Sequence, residues 1–327
     1  MASLYYVLAS TVAGFVVTVI LTVLSIDYLK KRNFLVMDYH KKDKPLVPKP
    51  AGPALFVGIS LPLLALFVFT SEIKYLAVLS TIAIIFSVGI IDDIKVLSGK
   101  LKTALTLLGS FPLLFFGVYD SHILFPIFGS TRLTIVYPLL ILLVVPVIAN
   151  AMNMVDVYNG TLSGTCIVLA FAQILPLLFY GHLEDMVFPL LLLGSSSAFF
   201  IFNRYPSRIF AGDSGSLTLG ALFGVSAIIT KTEIPSLIAF VPAILNGFYI
   251  LASIRGIIEH RSIKVRPVQL NDDGMLVASK EKSAPVTLAR LVVADGPMSE
   301  RQASNRIILL FVYSTILAVV TSLLIEA

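Results

Sequence analysis

Residues 75–102 read YLAVLSTIAIIFSVGIIDDIKVLSGKLK. An uncharged run from Tyr75 to Ile91 is stopped by two adjacent carboxylates, Asp92 and Asp93, and then by Lys95, Lys100 and Lys102. A helix crossing roughly 30 Å of hydrocarbon needs about 20 apolar residues, because in lipid its backbone must satisfy its own hydrogen bonds. The stretch therefore reads as a membrane span that delivers acidic and basic groups to one membrane face. Runs of the same kind recur outward along the 327 residues, at about 4–29, 51–70, 103–119, 133–149, 161–180, 187–202, 215–230, 235–256 and 304–325. The fold class predicted is an all-α polytopic membrane protein of about ten transmembrane helices, forming a single integral membrane domain over 1–327.

Composition agrees. Hydrophobic residues make up 57% and charged residues 13%, whereas soluble domains carry about a quarter charged. The net charge of +5 then reports basic cytoplasmic loops and excludes a nucleic-acid partner. Cys166 is the only cysteine, which rules out an internal disulfide and a thiolate metal site.

No Lys or Arg precedes Lys30, and Lys30-Lys31-Arg32 follow the first run, which predicts an uncleaved first span with its N-terminus outside. The loops after spans 1, 3, 5, 7 and 9 hold nineteen of the 24 basic residues, and the opposite loops hold only Lys74, Arg132 and Lys231. Both termini are therefore expected outside, with short, featureless external loops. The longest loop, about 257–303, is predicted to be a cytoplasmic subdomain covering an active site. In it Ile263–Leu270 and Met275–Lys280 flank the turn Asn271-Asp272-Asp273-Gly274, a hairpin signal, and 286–293 reads as a short helix.

The unusual polar residues fall on the basic side. Two carboxylates at a helix C-terminus oppose the dipole and call for positive partners. A helical step of about 100° suggests that only one of Asp92 and Asp93 faces the bundle centre. Any of Lys95, Lys100 and Lys102 could be their counter-ion or an anion ligand. Asn150, Asn153, Asp156 and Asn159 recur every three residues, as on one helical face, and their oxygens suit Mg2+ or Mn2+. Asp213, in Phe210-Ala211-Gly212-Asp213-Ser214-Gly215, stands at the start of an apolar helix. Glu259-His260-Arg261, Lys264 and Arg266 open the long loop, and Asp38, Lys41, Lys42, Asp43, Lys44, Pro45, Pro48 and Gly52 form a charged, proline-stiffened first loop. Arg and Lys are the usual ligands of phosphate.

Together these segments resemble the polyprenyl-phosphate N-acetylhexosamine-1-phosphate transferases, and within them the archaeal and eukaryotic enzymes that use UDP-GlcNAc and dolichyl phosphate. The resemblance rests on Asp38-Tyr39-His40-Lys41 with Pro48 and Gly52, Ile91-Asp92-Asp93, Asn150-Ala151-Met152-Asn153 with Asn159-Gly160, Tyr205–Asp213, His260-Arg261, and Gly296-Pro297 with Glu300-Arg301. It implies Asp92, Asp93 and Asp213 as catalytic groups and Asn153 and Asp213 as ligands of Mg2+ or Mn2+. It further implies Asp38, Lys41, Asn159, His260 and Arg261 at the nucleotide sugar, and Lys100, Asn150 and Asn153 at the lipid phosphate. Two positions depart from that pattern: Lys49 stands where an acidic residue is usual, and Glu259 where an arginine is usual.

The implied reaction moves GlcNAc-1-phosphate from UDP-GlcNAc to a dolichyl or other polyprenyl phosphate and releases UMP, starting an N-glycan or surface glycan. The expected setting is a multi-pass protein, with a homodimer as one possible assembly, in an archaeal plasma membrane rather than the endoplasmic reticulum, with its site on the cytoplasmic face. The rivals are a bacterial-type undecaprenyl-phosphate sugar-phosphate transferase, a membrane transporter, and an intramembrane aspartyl protease. The protease signature Gly-x-Gly-Asp lacks its first glycine here, and a transporter would place ionisable residues near the membrane midplane.

Overall fold

A computed structural model describes residues 2–180, 183–254 and 265–325. These residues form a bundle of helices with three two-stranded hairpins. Among the described residues eight helices are long and apolar enough to cross a membrane: α1 (Ala2–Lys31), α2 (Gly52–Thr70), α3 (Ile73–Ile94), α6 (Val136–Val155), α7 (Thr161–Tyr180), α8 (Val187–Asn203), α9 (Gly212–Ile229) and α13 (Glu300–Ser322). The protein is a multi-pass membrane protein. The other two expected spans are interrupted. Within the run 235–256 the described residues form α10 (Glu233–Ala239) and α11 (Val241–Ile254), bent by 58°. Pro242 explains the break, since it has no N–H to donate and its ring clashes with the carbonyl four residues back. Residues 103–119 become α4 (Gly99–Leu107), one 3-10 turn and α5 (Phe111–Phe116), with right-handed helical backbone at the joints.

Helix α9 is the axis of the bundle. Of its span window 94% is buried, against 28% for α1 and 33% for α13, and it packs against α3, α6, α2 and α8. Its small residues allow this, because helix pairs in lipid gain most from close backbone approach. A Cβ on Gly220 would lie 2.8 Å from the Cα of Ala149 in α6, and one on Gly89 of α3 would lie 2.5 Å from the Cα of Ser214 in α9.

The hairpins cap the bundle ends. Strands β1 (Leu35–Met37) and β2 (Leu46–Pro48) stiffen the first loop, and β3 (His122–Phe125) and β4 (Gly129–Arg132) close the opposite end. In the long loop β5 (Val268–Leu270) and β6 (Leu276–Ala278) flank the predicted turn, where Gly274 has φ +77°, and α12 (Leu288–Val292) supplies the predicted short helix. This loop is tied to the bundle by Lys42 to the Asp272 carbonyl (2.9 Å), Leu288 N–H to Asn246 Oδ1 (2.8 Å) and the Tyr158 hydroxyl to the Ala289 carbonyl (3.1 Å).

The opposite end is not featureless. Lys74 pairs with Glu72 (2.7 Å) and Asp185 (3.0 Å), and Asp120 binds both Lys231 and His122. Two of these pairs, Lys74 with Asp185 and Lys231 with Asp120, join partners 111 residues apart, so a local reading of short loops misses them.

Gly89→Val would force β-carbons into the α9 backbone. Overpacking of this kind costs typically 1–3 kcal/mol, here about 3 kcal/mol. Cys166 is free and fully buried, so a thiol-reactive dye reports unfolding directly, and the variant should melt well below the wild type.

Candidate active site

The first turn of a helix leaves four backbone N–H groups without internal partners. At the start of α9 two of them are taken by a carboxylate from another helix: Asp93 Oδ1 accepts from Asp213 N–H (3.0 Å), and Oδ2 accepts from Ser214 N–H (2.9 Å) and the Ser214 hydroxyl (2.6 Å). Asp93 is thus an N-cap supplied by α3. The same carboxylate that opposes the dipole of its own helix satisfies the dipole of α9. Gly212, with φ +76°, makes room for it, because a Cβ there would lie 2.7 Å from Asp93 Oδ2.

Asp92 accepts from Leu97 N–H (2.7 Å) and from the Lys102 ammonium (2.9 Å). The expectation that only one of the acidic pair faces inward is therefore corrected: the side chains of Asp92 and Asp93 are 3% and 1% exposed. The physical reason is that α3 ends beside them, so one carboxylate reaches across to α9 while the other holds the return loop.

Lys102 is the centre of the cluster. Its Nζ lies 2.9 Å from Asp92 Oδ2, 2.5 Å from Asp213 Oδ1 and 3.3 Å from Asn153 Oδ1. Asn153 in turn donates to Asp213 Oδ1 (2.9 Å) and Ser216 Oγ (2.7 Å). Lys49 closes the other side at 3.3 Å from Asp93 and 3.4 Å from Asp213. Burial pulls the Lys49 ammonium down, but the carboxylates of Asp213 and Asp93 outweigh it and hold its pKa above the ordinary lysine value. Just beyond the end of α6, burial lifts Asp156 to about 7; Lys49 opposes this shift, and Asp213 and Asp93 reinforce it. The three oxygens that meet at Lys102 form an all-oxygen donor set of the kind that suits Mg2+ or Mn2+.

A second polar cluster joins the first loop to α13. Asn159 is its hub. Its Nδ2 donates to Asp38 (3.1 Å) and Glu300 (2.5 Å), and its Oδ1 accepts from Lys41 (3.0 Å) and Ser207 N–H (2.5 Å). Lys41 also pairs with Asp38 and, at 3.4 Å, with Glu300. Ligand atoms of Asp38, His40 and Glu300 lie within 4.8 Å of one another. His40 packs edge-on against Tyr158 at 4.9 Å between ring centroids, and burial lowers its pKa to about 4 although Asp38 opposes the shift. Beside it opens a cavity of about 360 Å3 lined by Tyr39, His40, Lys44, Arg266 and Gln269, with the Arg266 guanidinium 3.8 Å above the Tyr39 ring.

The structure thus gathers Asp92, Asp93, Asn153 and Asp213 in one cluster and Asp38, Lys41 and Asn159 in another. Lys100 stands on the exposed side of α4, outside both. Asn150 binds Thr106 (2.9 Å) and the Pro146 carbonyl (2.8 Å), tying α6 to α4. The three-residue repeat does not form one helical face, because α6 ends at Val155 and Asp156 leaves it with φ −74° and ψ 70°. His260 and Arg261 lie outside the described residues. Of the three lysines that could serve the acidic pair as counter-ion, the structure brings Lys102 to Asp92, and Lys49, marked in sequence only as a departure from the family pattern, also belongs to the cluster. The helix phase carries a signal for the first: Ser98 caps α4 by accepting from Leu101 N–H, and the buried Thr106 lies four residues beyond Lys102 on the inward face.

Comparison with known proteins places these elements. Residues 75–231 match the family glycosyl transferase family 4. A protein of Saccharolobus solfataricus, provisionally named UDP-N-acetylglucosamine–dolichyl-phosphate N-acetylglucosaminephosphotransferase, is 31% identical over 228 residues, 68% of this chain and 70% of the relative. A protein of Methanocaldococcus jannaschii, provisionally named a glycosyltransferase, is 27% identical over 295 residues, 88% and 87% of the two chains. The phospho-N-acetylmuramoyl-pentapeptide-transferase of a Hydrogenobaculum species is 27% identical over 293 residues, 79% of each.

Removing the cap with Asp93→Ala leaves two N–H groups unmatched and Lys49 with Asp213 alone, a loss of about 3 kcal/mol, the low end for broken buried pairs. Hydrogen exchange in a peptide covering 210–216 should accelerate, and Asp93→Asn should show a smaller effect. His40 titrates lower in the fold than unfolded, so its contribution to stability is present above pH 6.5 and lost as pH falls through about 4. Thermal melts followed by circular dichroism should show that loss, and His40→Gln should flatten it.

Proposed function

This chain belongs to glycosyl transferase family 4, and on that premise we propose that it transfers GlcNAc-1-phosphate from UDP-GlcNAc to a dolichyl or other polyprenyl phosphate, releasing UMP. The observation that carries the reading is the Lys102, Asp213, Asn153 and Lys49 cluster at the basic end of an apolar bundle. Phosphoryl transfer asks chiefly for positioning and charge neutralisation, and the cluster supplies ordered groups of both signs beside lipid.

In the proposed reaction an oxygen of the lipid phosphate attacks the β-phosphorus of the nucleotide sugar. The bond from that phosphorus to the bridging oxygen breaks, and UMP leaves with its electron pair. The nucleophile needs no strong base, because the second pKa of a phosphate monoester is about 6. Asn153 and Asp213 would hold Mg2+ or Mn2+, which supplies charge neutralisation at the diphosphate. Lys102 and Lys49 add positive charge from the protein. Asp93 fixes the start of α9, and so the position of Asp213, while Asp92 holds Lys102 in the cluster before metal binds. Asp38, Lys41 and Asn159, with the cavity beside His40, form the proposed nucleotide-sugar side. The basic end faces the cytoplasm, and the membrane is proposed to be an archaeal plasma membrane, in keeping with the archaeal relatives.

The test is a panel of UDP-sugars with polyprenyl phosphate and Mg2+, read by UMP release and the mass of the lipid product. UDP-GlcNAc should give a lipid diphosphate bearing GlcNAc. Asp213→Ala should lose about 10²–10³-fold in kcat or more, the scale of removing one charge-stabilising group. Lys102→Ala should be similarly impaired and Lys100→Ala nearly normal. Full turnover by Asp213→Ala would overturn the assignment.

A further inference from the structure

The ammonium of Lys102 sits where Asp92 Oδ2, Asp213 Oδ1 and Asn153 Oδ1 converge, at 2.9, 2.5 and 3.3 Å. Two of those three residues are the ones assigned above to the divalent metal. We propose that Lys102 and the divalent cation are alternative occupants of this one set of oxygens, so that loading the metal expels Lys102 from the cluster. The inference rests on the metal assignment under the proposed function.

Three observations carry it. The first is geometric. A small dication needs its oxygens at about 2.0–2.1 Å, and an ammonium held by the same oxygens leaves it no place. The second is charge. Asp92, Asp93 and Asp213 face Lys49 and Lys102, so these five paired side chains carry one net negative charge among themselves. Exchanging Lys102 for a dication makes that charge zero, whereas adding a dication beside both ammoniums makes it positive. The third is freedom to leave. Lys102 lies in the first turn of α4 on a flexible four-carbon stem, and its neighbours Lys100 and Leu101 are exposed. Rotation about that stem alone moves the ammonium off the three oxygens, without any shift of the helix. Lys49 is held differently: it sits on the other Asp213 oxygen and on Asp93, whose oxygens are already engaged by the α9 N–H groups.

Mn2+ binding to purified protein, read by electron paramagnetic resonance without substrates, tests the exchange. Lys102→Met and Lys49→Met each remove one positive charge, but only the first vacates the shared position. The expected result is at least a tenfold gain in Mn2+ affinity for Lys102→Met and at most a threefold gain for Lys49→Met. Equal gains, or none for Lys102→Met, would overturn exchange and leave general electrostatics. A second measurement needs no variant. In the wild type Lys102 should resist acylation at pH 9, and Mg2+ should raise its labelling severalfold by mass spectrometry while Lys100 stays constant. Unchanged or reduced labelling of Lys102 on metal addition would refute the proposal. If Mn2+ binds neither wild type nor variants, the metal assignment falls as well; if it binds all of them alike, only the exchange falls.

Discussion

Helix α9 brings unpaired N–H groups and the positive end of its dipole to a buried position at the basic end of the bundle, and the carboxylate of Asp93 meets them there. In an apolar interior neither partner is tolerable alone. The contact also decides where α3 ends, since the chain must present Asp93 at the level of Gly212, and it requires that α3 and α9 run close enough for Gly89 to touch Ser214. From that junction the position of Asp213 follows, and from Asp213 the positions of Lys102, Lys49 and Asn153.

The site is therefore a structural knot as much as a reactive one. Each carboxylate of the first cluster holds up backbone or another side chain: Asp93 the start of α9, Asp92 the turn at Leu97, Asp213 the amide of Asn153. The second cluster repeats the design with Asn159, whose amide binds the first loop, the segment before α9, and α13. Five stretches far apart in sequence converge at this end, and buried polar groups join them.

Much of this is legible in the amino-acid sequence because lipid imposes a simple rule. The apolar runs mark α7 to the residue, at Thr161–Tyr180, and the other long spans to within about six residues at each end, and the sorting of Lys and Arg shows which loops share an end. That shared end is why Asp92, Asp93, Asn153 and Asp213 can be grouped from sequence alone. What escapes a sequence reading depends on phase or on distant partners. Pro242 breaks a run that is apolar throughout. The repeat from Asn150 to Asn159 looks helical because nothing local announces the end of α6 at Val155. Lys100 and Lys102 differ only in which face of α4 they occupy, and the cap at Ser98 fixes that face. Lys49 stands out only as a departure from a pattern, since its partners lie 44 and 164 residues away.

The segmented course of α4, its 3-10 turn and α5 has a consequence for how firmly the cluster is mounted. At the turn a Cβ on Gly109 would lie 2.4 Å from the Ile85 side chain of α3, and the Ser110 hydroxyl donates to the Leu142 carbonyl of α6 (3.3 Å). The segment is thus clamped between two long helices one turn beyond the end of α4, so the backbone that carries Lys102 is set in height by packing among apolar groups rather than by the charges that Lys102 meets.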